Sequence, residues 1–209
     1  MASLIEGLKG FTHSLTGLCV NVDEGVPGTM RHSLTTILVD RTGFTGNGRI
    51  PHAARLRFGM VSIPCRIGRT GVTHAKREGD GATPAGVMRA IRGFWRGDRH
   101  LPPMTGVPLR PIRPGDGWCE VPGDRNYNRM VKKPYAASHE DMMREDRLYD
   151  IVLELDWNRV PRRQGRGSAI FFHLTRENLG PTAGCIAVER RRIGFIMAKL
   201  SPRTRIVVR

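Results

Sequence analysis

Two residues with base and nucleophile chemistry flank one short loop. In Ala169-Ile-Phe-Phe-His173-Leu-Thr-Arg-Glu-Asn-Leu-Gly-Pro-Thr182-Ala-Gly184-Cys185-Ile-Ala-Val188, an apolar run delivers His173 and a polar loop with Gly180 and Pro181 follows. Thr182-Ala-Gly184 then leads Cys185 into a second apolar run, twelve positions after the histidine. The pattern predicts strand, loop, strand. If the strands lie side by side, imidazole and thiol can meet. A base beside a cysteine takes its proton and, as a cation, holds the thiolate, the reactive form of sulfur.

The other three cysteines, Cys19, Cys65 and Cys119, form no C-x-x-C pair and no metal-ligand cluster with Cys185. Cys65 lies in an apolar run and reads as a buried small hydrophobe, Cys119 as structural; a Cys65–Cys119 bridge stays open. His139 is a second titratable group of interest, although Ser138-His-Glu140 also reads as a helix start. Tyr149 and Trp118 are readable as cleft lining or as core. Asp80 and Glu78, in a glycine-rich turn, are expected to order that turn.

The elements that must position these groups are mainly strands. Short β-type runs lie at Thr35–Val39, Arg55–Phe58, Val61–Cys65, Val87–Trp95, Leu148–Leu155, Ser168–His173, Cys185–Val188 and Arg205–Val208. Tyr149–Leu155 alternates, with Ile151, Leu153 and Leu155 on one face. One helix is predicted from Glu189 to Leu200, with Ile193, Ile196, Met197 and Leu200 on one face and Ser201-Pro202 ending it. Arg190, Arg191 and Arg192 near its N-terminus oppose the helix dipole, which points to an anion there; a solvated face is the plainer reading. A second, shorter helix is predicted over Ser138–Asp146, capped by Ser138. The Pro/Gly-rich stretch from Arg99 to Lys133 reads as a long ordered loop over a site. The fold class is therefore mainly β, with one or two short helices.

Hydrophobic content of 39% and charged content of 25% describe an ordinary globular chain, and 209 residues suffice for one domain. The net charge of +15 implies nucleic acid, an anionic membrane surface or an anionic polymer as partner, or a merely solvated basic surface. Aromatic content of 6% and the lack of an RNA-binding or helix-turn-helix signature argue against nucleic acid. Residues 1–29 contain no arginine and more acids than bases. Met30 then opens a strand-like segment, so 1–29 is predicted to be an extension upstream of the true start, or else a weak targeting segment, and 30–209 the domain. Leu15–Val22 is broken by Thr16, Gly17 and Asn21 and makes a poor signal peptide. No run approaches the about 20 apolar residues that span a bilayer.

Three stretches together resemble the L,D-transpeptidase catalytic domain, the YkuD-type family. Lys76-Arg-Glu-Gly-Asp-Gly-Ala-Thr83-Pro84-Ala-Gly86 looks like the family's Thr-Pro-x-Gly segment. His173 ends a strand, and Thr182-Ala-Gly184-Cys185 is similar to the family's Ser/Thr-His-Gly-Cys. Ala183 stands where the family has a second histidine, and the His–Cys spacing is shorter than usual. Asp116-Gly-Trp-Cys119, Tyr127-Asn128, Ser138-His-Glu140 and Leu148-Tyr149-Asp150 look like a proteobacterial single-domain subgroup. The resemblance implies a YkuD-like β-sandwich or barrel of mixed sheets, with the catalytic cysteine on a strand-loop near the C-terminus. It implies Cys185 as nucleophile and His173 as base, oriented by a backbone carbonyl at or near Leu174. The N–H groups of Gly184 and Cys185 would face the developing oxyanion. Thr182, His139 and Tyr149 are the candidates to contact substrate, with Thr182 equally readable as a cap of the loop.

The implied reaction is attack on the third, diamino-acid residue of a peptidoglycan tetrapeptide stem, release of D-alanine, and transfer to an acceptor amine. Water as acceptor would make an L,D-carboxypeptidase instead. A basic noncatalytic polyanion-binding module is the alternative of another class. No metal or organic cofactor is expected. A monomer is the simplest expectation, with oligomeric state left open. The substrate places the protein in the periplasm or cell envelope, and carbapenems would be its inhibitors.

Overall fold

A computed structural model describes residues 34–42 and 50–209, so the expectation for residues 1–29 falls outside the described residues. Among the described residues the architecture is mainly β, with a mixed sheet of ten strands, two small sheets and one short helix. Chain order gives β1 (Thr36–Arg41), β2 (Ala53–Phe58) and β3 (Val61–Arg66), an antiparallel meander. On its other side β1 takes β15 (Arg205–Val208) in parallel, with Thr36 opposite Arg205.

The Val87–Trp95 run is two strands. Arg89 alone separates β6 (Gly86–Met88) from β7 (Ala90–Trp95). Yet β6 pairs with β15 at one edge of the large sheet, while β7 pairs with β12 (Ile151–Leu155) and β8 (Leu109–Pro111) at the other. Two extended residues span at most about 7 Å. The sheet therefore has to curl until its two ends approach each other. Asp156 holds the crossing: its carboxylate accepts from the Arg89 N–H at 2.8 Å, and its own N–H donates to the Arg89 carbonyl at 3.0 Å.

Between these ends run β3, β14 (Ile186–Val188), β13 (Phe171–Leu174) and β12. Alternation along a strand sends neighbours to opposite faces. Leu153 and Leu155, Phe172 and Leu174, and Ile186 and Val188 enter the main core with Ile37, Leu56, Ile63 and Ile206. Val152, Phe171 and Cys185 face the other way, into a second cluster built on Phe94, Trp118, Met142 and Tyr149. Both faces of β12 to β14 are thus covered. Trp118 is core, packed edge-to-face on Phe171 at 5.1 Å.

The Arg99–Lys133 stretch is more ordered than a loop. β9 (Asp116–Cys119) pairs with β10 (Arg129–Lys132) and with β11 (His139–Asp141) in a three-stranded sheet. The predicted helix over Ser138–Asp146 is not formed. Its first residues lie in β11, and Asp141 accepts from the Met143 N–H at 2.9 Å in a turn. The two-stranded sheet is β4 (Val72–Thr73) with β5 (Thr83–Pro84). Cys65 and Cys119 are both buried free thiols, in different sheets, so the bridge left open above is not made.

The helix, α1, runs Arg190–Met197 and buries Ile193, Ile196 and Met197 as its spacing predicts. Its N-terminal arginines divide. Arg190 donates to the carboxylate of Asp150, which is 1% exposed, Arg191 pairs with its neighbour Glu189, and Arg192 is exposed. The anion facing this helix end thus belongs to the protein itself. Arg99 at 2.9 Å and His100 at 3.0 Å complete the shell around Asp150. Among the described residues, no helix is long and apolar enough to cross a membrane.

Candidate active site

β13 and β14 are parallel neighbours, with His173 opposite Ala187. A parallel pair cannot be joined by a hairpin, so residues 175–185 carry the chain back to the start of the next strand. That return places Cys185 against the chain entering β13. The thiol donates to the Ala169 carbonyl at 3.1 Å, and the Phe171 N–H points at the sulfur from 3.3 Å. Phase along the strands puts His173, Ala187 and Cys185 on the same face. His173 and Cys185 both line one cleft of about 310 Å³.

The imidazole of His173 is buried, and its Nδ1–H donates to the Leu174 carbonyl at 2.7 Å. This is the backbone orienter that the resemblance implies. It fixes the neutral tautomer with Nε2 unprotonated and leaves that nitrogen to accept a proton. The ring of Tyr149 stands edge-on to the imidazole at 5.3 Å and to Phe171 at 5.7 Å. Tyr149 is thus buried packing that holds the histidine, and it also contributes to the cleft wall.

Burial dominates both titrations. It pulls the His173 imidazole down to about 4, against the opposing bond to Leu174. It pushes the Cys185 thiol up to about 12, against the Phe171 N–H. At neutral pH burial thus favours a thiol and a neutral imidazole over the charged forms.

Two threonines clamp the backbone of Cys185. The Thr182 hydroxyl donates to the Cys185 carbonyl at 2.7 Å and accepts the Gly184 N–H at 3.2 Å. The Thr83 hydroxyl reaches the same carbonyl at 3.4 Å and accepts the Gly68 N–H at 2.8 Å. This is the structural use of the Thr83-Pro84 segment. It also alters one expectation: the Gly184 N–H is bonded to the Thr182 hydroxyl and is not free to face an oxyanion. Gly184 itself has φ of +149°. A Cβ there would lie 2.9 Å from the Ala82 backbone oxygen. Gly184→Ala is expected to lower stability by about 1–3 kcal/mol and to slow acylation of Cys185 with it. Urea unfolding and acylation rates check this, and an unchanged variant would show that the loop's shape is not fixed here.

His139 is not brought to the cleft. Its Nδ1 bonds the Ala137 carbonyl at 2.9 Å, and its ring packs on Tyr135 and over Gly117. On strand β11 the next residue faces the opposite way, and Glu140 lines the cleft instead. Glu140 is held by Arg144, and burial raises its carboxyl above the ordinary range. Arg144 also lies 5.2 Å over the Tyr149 ring. Asn128, equally unanticipated, carries Ala169: its side-chain oxygen accepts from the Trp118 indole and from the Ala169 N–H, both at 3.1 Å. Asp80 orders its turn as expected, accepting from the N–H groups of Arg77 and Ala82 at 2.8 Å. Glu78 accepts from the buried Tyr127 hydroxyl.

Among the described residues, no group of three or more His, Cys, Asp or Glu is placed to hold a metal ion. No curated protein matches the chain. Residues 38–208, nearly the whole described region, match the L,D-transpeptidase catalytic domain. The chain belongs to the YkuD family, whose activity is L,D-transpeptidation of peptidoglycan.

Proposed function

We propose that this chain is itself a cysteine L,D-transpeptidase of peptidoglycan, with residues 30–209 as its catalytic domain. Cys185 attacks the carbonyl of the diamino-acid residue of a tetrapeptide stem, and His173 Nε2 takes the thiol proton. Collapse of the adduct expels D-alanine, which leaves with that proton. An amine of a second stem then resolves the thioester. The observation that supports this best is one cleft holding a buried thiol and an imidazole whose other nitrogen is tied to a backbone carbonyl. Tyr149 positions the imidazole, and Thr182 and Gly184 shape the loop that presents the sulfur. The subgroup resemblance and a place in the periplasm or cell envelope follow from the same reading. Fractionation of a C-terminally tagged protein tests the location.

Incubation with a carbapenem is expected to add one inhibitor mass to the protein, located on Cys185, and Cys185→Ala is expected to gain none. Intact-mass spectrometry with peptide mapping checks this. No adduct on a folded, reduced protein would remove the acyl-transfer reading. With purified tetrapeptide stems, cross-linked dimers are expected. Release of D-alanine without dimers would make the enzyme a carboxypeptidase.

A further inference from the structure

The cleft holds one buried cation that the mechanism above does not use. Lys76 is 4% exposed overall, and its ammonium lines the same cleft as Cys185. Its stem is threaded between two glycines in left-handed or extended positive-φ conformations. A Cβ on Gly167 would lie 2.9 Å from Lys76 Cε, and one on Gly184 would lie 3.4 Å from Nζ. The ammonium is therefore set against the peptide that carries Cys185. Asp80 accepts one of its three protons at 2.5 Å. The remaining two have no acceptor among the described residues.

The other cations of the cleft are placed differently. Arg144 is engaged by Glu140, Asp146 and the Tyr149 ring. Arg69 and Arg176 are exposed, where water screens them. Meanwhile the backbone provides fewer donors than the reaction calls for. The Gly184 N–H is bonded to Thr182, which leaves the Cys185 N–H of the two backbone donors expected. A tetrahedral adduct places a full negative charge on one oxygen, and each preorganised donor aimed at it strengthens its stabilisation.

We propose that Lys76 is a further catalytic residue, whose ammonium donates to the oxyanion formed when Cys185 attacks the substrate carbonyl. This rests on the acyl-transfer reading above. As the S–C bond forms, the carbonyl π pair moves onto oxygen, beside Nζ and the Cys185 N–H. The thiol proton moves to His173 Nε2. When the pair returns, the C–N bond breaks and the leaving amine takes the proton from the imidazolium. Lys76 gives up no proton in the cycle. It holds charge that exists only between the two steps, so its contribution falls on rate rather than on binding. Asp80 positions the ammonium and, tied to two backbone N–H groups as well, keeps it from following the substrate.

The test compares wild type, Lys76→Met and Lys76→Met/Asp80→Asn on D-alanine release from a tetrapeptide stem and on alkylation of Cys185 by iodoacetamide. Alkylation needs the same sulfur but forms no oxyanion. Both variants are expected to lose about 10²–10³-fold in kcat, with KM changed by less than about threefold and the alkylation rate falling far less than kcat. The double variant removes both members of the pair and keeps the test valid if the single variant does not fold. A kcat within about threefold of wild type would overturn the proposal. So would an alkylation rate that falls in step with kcat, since Lys76 would then act through the thiol or the fold. A wild-type protein that takes iodoacetamide but never releases D-alanine would remove the acyl-transfer reading, and this proposal with it.

Discussion

His173→Gln is expected to slow acylation of Cys185 by about 10²–10⁴-fold near neutral pH, the usual reach of a positioned base. The pH dependence carries the mechanism. With the imidazole held near 4 and the thiol near 12, the pair is neutral across the intervening range. Wild-type acylation is expected to be level through neutrality and to fall only on acidification toward the lower value, as His173 protonates. In His173→Gln the sulfur has no base, and its rate is expected to climb with pH toward the thiol's own value. Single-turnover acylation followed by mass spectrometry gives both profiles. A wild-type rate that peaks near neutrality and declines on either side would mean a resting ion pair. A variant equal to wild type at neutral pH would take His173 out of the reaction.

Asp150→Ala is expected to destabilise the fold by about 3 kcal/mol, the low end of what breaking a buried ion network costs, because His100 and Arg190 keep partial contact with water. The carboxylate joins three parts of the chain: the turn after β7 through Arg99 and His100, the approach to β12, and the first residue of α1. It also follows Tyr149 directly, so its loss is expected to loosen the ring that holds His173. Burial alone would raise this carboxyl. The bonds from His100, Arg99 and Arg190 outweigh that and hold it below the usual carboxylate range. A lowered value means that the stabilisation is complete above the ordinary carboxylate value and drains away as pH falls through the lowered one. Denaturant titrations at neutral and acidic pH check both points. The gap between wild type and variant is expected to narrow in acid, and a constant gap would assign the effect to packing instead.

Much of this site is readable from residue order because its geometry is local. His173 lies in one apolar run and Cys185 opens the next, the two strands are neighbours, and the carbonyl bonded to the imidazole is one residue from the histidine. The Asp80 turn is likewise read within five residues. What escapes reading depends on long-range register or on strand phase. His139 draws attention as a titratable residue, but one step of alternation gives the cleft to Glu140. The split at Arg89 is invisible in an unbroken β-type run, since only the distant partners β15 and β12 distinguish its halves. Strands of three or four residues among prolines and glycines, as in β8 and β9, carry too little periodicity to separate from a loop. Lys76 belongs to a recognisable motif, yet its direction is set by Gly167 and Gly184, each about a hundred residues away along the chain. The neutral resting pair also escapes, because burial of both groups is a property of the finished fold.

The pairing of β1 with β15 bears on the order of events during folding. Thr36 finds Arg205 only after all of the intervening chain has been made. Until then the β1–β2–β3 meander, which can form early from neighbouring residues, presents β1 as an open edge beside apolar side chains. Closure of so distant a contact is slow, and an uncovered edge is where chains pair with one another. This protein is therefore expected to pass through a vulnerable interval during synthesis, ended by the arrival of β15, in which a holding chaperone has a surface to bind.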